Sequence, residues 1–295
     1  MASVKKLISE LTRRGPHKVL RGDLAIAGVP GAVYTPRSGT DLPGIALGHG
    51  WMTGSRQYRK TLSHLASWGI VAAAPDTERG PLGSERALAS DLVTTLQIIS
   101  EVRLGVGDIT VHSRRLGLVG HGFGASAAVL AAADSSPVTV RAAGLLYPAP
   151  TSDAVLPAAH NARVPAMILT APDDLDSITS NALPLRNALH HDLSPDALAK
   201  GAEENPVSLR VVEKSTARGF AEGFSVRGFL GDGANDRTTQ RMTRAVLTGF
   251  LLHQLTGDKK YADFSDPDTA LGKIVPLDPT TVADETDPLT RLLSR

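Results

Sequence analysis

The segment Leu116-Gly-Leu-Val-Gly-His-Gly-Phe-Gly-Ala-Ser-Ala-Ala-Val-Leu130 restricts the fold more than any other part of the chain. The apolar run Leu116 to Val119 has the composition of a strand buried on both faces. Gly120, Gly122 and Gly124 then alternate through a tight turn, and an alanine-rich stretch suited to a helix follows. A strand that turns at once into a helix is the repeating unit of a parallel sheet covered by helices. Glycines at this spacing fit two readings. One is an ordinary strand-to-helix turn; the other is a turn that holds its middle residue in a strained conformation.

The remainder of the chain repeats that alternation. Gly44-Ile-Ala-Leu47, Gly69 to Pro75, Ala142 to Tyr147, Ala166 to Thr170 and Leu209 to Glu213 read as strands. Helices are expected over about 57–67, 84–103 (with Ser84 as N-cap), 180–191 and 238–255. Asp23 to Ala27 and Gly31 to Thr35 read as an antiparallel hairpin at a sheet edge. The spacing predicts an α/β fold: a mostly parallel central sheet with helices on both faces. Three segments follow from the pattern: an N-terminal helical extension (1–20), one α/β domain (21–262) and a C-terminal tail (263–295). Three Asp-Pro pairs in the tail predict an extended strap or partial disorder.

Composition removes several classes of function. A net charge of +1, with no run of Lys and Arg, implies no nucleic-acid partner. The absence of cysteine excludes disulfides, thiolate metal sites and a cysteine nucleophile. The start lacks the apolar core of a secretory signal, and no stretch approaches the roughly 20 apolar residues that span a bilayer, so a cytoplasmic protein without a transmembrane segment is expected. Val4, Leu7, Ile8 and Leu11 recur at helical spacing, which suits a docking helix or one lying on a membrane surface. Asp173-Asp174-Leu175-Asp176 and His190-His191 lack the further ligands of a metal site, so neither metal nor cofactor is expected.

Four pieces, in order and on suitable elements, carry a family likeness: His49-Gly-Trp-Met-Thr-Gly-Ser55, Leu65 to Thr77, the Gly120–Gly124 turn, and Asp174-Leu-Asp-Ser-Ile178. On these the chain resembles the α/β-hydrolases of the dienelactone hydrolase-like branch, nearest to bacterial cutinases and poly(ethylene terephthalate) hydrolases, over about residues 31–264. The resemblance implies the α/β-hydrolase fold and a G-x-S-x-G nucleophile elbow. The nucleophile's position is held by Gly122, and Ser126 falls a turn into the next helix, where its hydroxyl should face packing. The triad acid matches Asp176. The histidine's position falls on Arg218 if the strand Leu209–Glu213 sets the alignment, or on Asp236 if the loop Asp232–Asp236 does. The only histidine after His191 is His253, inside the last helix.

A degenerate triad of this kind predicts a pseudoenzyme: a catalytically lapsed homologue acting as a binding or assembly protein. The alternative is a hydrolase-fold enzyme, acting on an ester or related bond by a non-serine mechanism with His121, His49 or Asp176 as base. The resemblance also leaves an anion-binding half-site, the N–H groups of Phe123 and of Trp51 or Met52. The expected pocket therefore comprises His49, Trp51, Met52, His121, Phe123 and Arg218, and would take a small anionic or acyl ligand. A protein partner would dock through residues 1–15 or 265–295.

Overall fold

In the computed structural model of the chain, the described residues are 3–134, 137–150, 152–175, 180–190, 205–213, 215–216, 220–221 and 236–277. The sheet is built from β1 (Val19–Asp23), β2 (Gly31–Pro36), β3 (Gly39–Gly48), β4 (Val71–Pro75), β5 (Ile109–His121), β6 (Val140–Leu146), β7 (Ala166–Thr170), β8 (Val207–Val212) and β9 (Ile274–Pro276). Their order across the sheet is β1-β2-β4-β3-β5-β6-β7-β8-β9. The strands from β4 through β3 to β8 run parallel, while β1, β2 and β9 are antiparallel to their neighbours. The parallel strands are continuous Ala, Val, Leu and Ile because both faces are covered.

The covering helices are α1 (Val4–Leu11), α2 (Arg59–Ser67), α3 (Glu85–Glu101), α4 (Phe123–Ala133), α5 (Val155–Ala159), α6 (Pro172–Leu175), α7 (Ala182–Leu189) and α8 (Arg237–Thr256). Two apolar layers result, one on each face. Ala46, Leu118, Leu145 and Ile168 point to the layer that holds α3 and α4. Their strand neighbours Ile45, Leu47, Val119, Leu146, Met167 and Leu169 point to the layer of α1, α2 and α8. The two-residue period of a strand does this sorting. The α/β architecture with a mostly parallel sheet is as the sequence predicts. Among the described residues, no helix is long and apolar enough to cross a membrane.

Two local expectations need correction. The edge hairpin lies earlier than the sequence suggests, with β1 at 19–23 and Leu24–Ala27 forming a 3₁₀ turn. Asp23 accepts the Ala25 N–H at 2.9 Å, and Gly28 closes the turn at φ 92°; this local capping outcompetes a strand in an apolar run. The tail is a strap only in part: its residues 274–276 become β9, paired with β8. Arg210 of β8, fully buried, secures the approach by donating to the carbonyls of Asp266 and Thr269. At the other end Leu7, Ile8 and Leu11 of α1 are buried in the same layer as Val246 and Phe250 of α8. The docking helix thus finds its surface within the chain.

Candidate functional site

The three turn glycines do different jobs. A Cβ on Gly120 would lie 2.1 Å from the Gly124 carbonyl oxygen, and one on Gly124 would lie 2.2 Å from that of Gly48. These two are required because β5, α4 and the loop after β3 touch through bare backbone. A Cβ on Gly122 would meet only the Gly50 Cα, at 3.9 Å. Gly122 is demanded by conformation instead: φ 54° with ψ −117° is a region that side chains rarely occupy. Its N–H donates to Leu146 O, and its carbonyl accepts the Ala125 N–H, both at 3.0 Å. The strained backbone is therefore held from both sides. Ser126 is fully buried with no partner for its hydroxyl among the described residues, so it faces packing as expected.

Both pocket histidines are built into the walls. His49 is fully buried; its Nδ1 faces Gly50 O at 2.9 Å and its Nε2 faces Thr77 O at 2.6 Å. Neither nitrogen is left to take a proton from a ligand. His121 is buried too, with Nδ1 2.7 Å from the Tyr58 hydroxyl, which also accepts the Gly50 N–H at 2.8 Å. Tyr58 thereby ties the loop after β3 to the end of β5.

An aromatic cluster packs around His121. Its ring centroid lies 5.2 Å from Phe220, 5.7 Å from Tyr58 and 6.2 Å from Tyr147. Phe220, fully buried, also packs on both tyrosines. The Tyr147 hydroxyl bonds Thr243 Oγ1 at 2.9 Å. Burial pushes the pKa of Tyr147 up to about 12, with the hydrogen bonds to Thr243 and Ser215 acting against the shift and the charges of Asp174 and Asp236 adding to it. A packed ring cluster occupies the space beside the turn.

Of the other expected residues, Asp236 is the N-cap of α8: it accepts the Thr238 N–H at 2.8 Å and the Thr239 hydroxyl. Helix capping thus accounts for Asp236, and the capping bonds hold its carboxyl below the usual range against a burial effect that would raise it. Trp51 and Met52 are 44% and 52% exposed, and the Trp51 indole donates to Pro81 O at 3.2 Å. Their side chains flank the site at the surface; Met52 takes the left-handed conformation, at φ 55°. Phe123 opens α4 and lines a separate shallow groove with Glu85 and Ser152. Asp176 and Arg218 lie outside the described residues. Sequence reasoning missed Tyr58, Tyr147 and Phe220. The available signal was composition: aromatics make up only 4% of the chain, so three gathered at one place are a feature.

Among the described residues, no group of three His, Asp or Glu could hold a metal ion. Compared with known proteins, the chain matches no family model and no curated protein.

Proposed function

We propose that this chain is a catalytically lapsed member of the α/β-hydrolase fold, working as a binding or assembly protein. The observation that carries the reading is Gly122. Its backbone has the strain characteristic of a residue aimed for chemistry, and there is room for a side chain, yet none is present. Support comes from its place at the carboxyl end of a central parallel strand, where that fold presents its nucleophile. Further support comes from Phe220 packed against His121 and from the absence of any histidine in 192–252. Without a nucleophile and base, covalent acyl transfer has no first step. The non-serine alternative gains nothing from His49, whose nitrogens both face carbonyl oxygens, or from His121, held by Tyr58.

Short p-nitrophenyl esters test this directly. The purified chain is expected to show no turnover above the buffer rate. Turnover that follows the protein through purification and resists a serine-reactive phosphonate would overturn the reading in favour of the non-serine enzyme.

A further inference from the structure

A second concavity, sharing no residue with the Gly122 turn, opens where α1, the β1–β2 edge, α2 and α8 meet. Its volume is about 360 Å³, and Arg14, Arg21, Arg59, Lys60 and Arg244 line it together with His64. That size suits a small molecule. The sequence hides the cluster because its members come from four segments. Arg14 follows α1, Arg21 is on β1, Arg244 is on α8, and Arg59, Lys60 and His64 share α2. On α2, the spacing from Lys60 to His64 is one turn, which sets both on one face. On the sheet, Arg21 lies directly opposite Tyr34 of β2, which also lines the groove.

No acidic residue is among those lining the groove. Arg14, Arg21 and Arg59 have no ion-pair partner among the described residues, whereas Lys260 outside the groove is paired with Glu10 at 3.3 Å. Like charges drawn together from separate elements repel in the folded chain. Such an arrangement is expected where an anion offsets the repulsion. Guanidinium forks match the spacing and planarity of phosphate and carboxylate oxygens, and phosphate carries the greater charge.

We infer that this groove binds a soluble phosphate-bearing small molecule, through Arg14, Arg21, Arg59, Lys60 and Arg244. His64 adds a feature that a plain basic patch lacks. One ring nitrogen bonds the Leu11 carbonyl, and Nε2 is buried without a partner among the described residues. Burial first, then the charge of Arg244, lowers its pKa to about 4, with the Leu11 bond opposing. At neutral pH the ring is therefore an uncharged part of a cationic wall.

The inference goes beyond the reading of the Gly122 turn, and anion titration and ester turnover report on the two separately. Calorimetric titration of the full chain with sodium pyrophosphate, at an ionic strength fixed with sodium chloride, is expected to show saturable binding. Arg21→Glu and Arg59→Glu, both at exposed positions, should each weaken it by roughly tenfold or more. Arg21→Gln and Arg59→Gln remove charge without reversing it and should give smaller losses in the same direction. Arg114→Glu, exposed on β5 outside the groove, should leave binding unchanged. Thermal melts without ligand confirm that each variant is folded. Absence of saturable binding, or equal loss in Arg114→Glu, overturns the proposal. Sedimentation with phosphatidic-acid vesicles that pyrophosphate does not displace also overturns it, assigning the charges to a lipid surface.

Discussion

At Gly122 the backbone is strained while the polar atoms around it are matched. His49 faces two carbonyls, Tyr58 joins Gly50 to His121, and Phe220 closes the space. In the groove between α1, α2 and α8 every charged residue of the lining is basic, and His64 Nε2 has no partner among the described residues. The two regions differ in what holds their geometry in place. An unusual backbone conformation costs little once glycine holds the position, so it can persist without any chemistry to maintain it. Charge repulsion acts in every folded molecule and persists only where something offsets it. Shape is weak grounds for present function at the first region; unbalanced charge is stronger grounds at the second.

The contrast can be broken or sharpened by experiment. The largest effect is expected from Phe220→Ala, which hollows the aromatic cluster and should cost about 3–5 kcal/mol in denaturant unfolding. A near-neutral result would mean that Phe220 is a dispensable cover rather than packing. Gly124→Ala drives a Cβ into the Gly48 carbonyl and should cost about 3 kcal/mol, with Gly120→Ala similar. Should either variant melt with the parent, the close contact of strand and helix is not what fixes the turn.

Acid should find the groove before the turn. The folded pKa of His64 is about 4 against an ordinary value of 6.5, so between these values the unfolded chain binds the proton more readily. Its contribution is complete above about pH 6.5 and falls away as pH drops toward 4. By pH 5 the loss from this ring should approach about 2 kcal/mol. His64→Gln should lack that share of the slope, as urea melts at pH 7 and pH 5 can show; parallel slopes would mean His64 is not the group. The smallest effect belongs to Gly122→Ser. There is room for the side chain, so only the strained φ should be felt, at about 1–2 kcal/mol. No ester turnover should appear, because no base is placed among the described residues to take the hydroxyl proton. A serine variant that turns over p-nitrophenyl acetate would reveal a base at the turn and erase the contrast.

The sheet was readable because buried parallel strands advertise themselves. Ala166–Thr170 and the Ser84 cap of α3 lie where composition puts them. The Gly120–Gly124 turn was equally plain, since close backbone contacts leave glycine as a written trace. What escaped depends on contacts distant in sequence. β9 is three residues with no periodicity of its own, defined only by its pairing with β8. Phe220 is unremarkable until folding sets it against His121. The groove, too, is spread over residues 14 to 244, so no local run of basic residues betrays it.

The way the two ends are fastened also bears on how the chain can be made. α1 leaves the ribosome well before α8, yet its apolar face packs in the layer with Val246 and Phe250 of α8, more than 230 residues later. Likewise the Arg210 guanidinium waits for the carbonyls of Asp266 and Thr269. A nascent chain therefore carries an uncovered apolar helix and an unfinished sheet edge until residues 237–276 emerge. The arrival of residues 237–276 completes both, so these residues act as a latch on the elements that precede them.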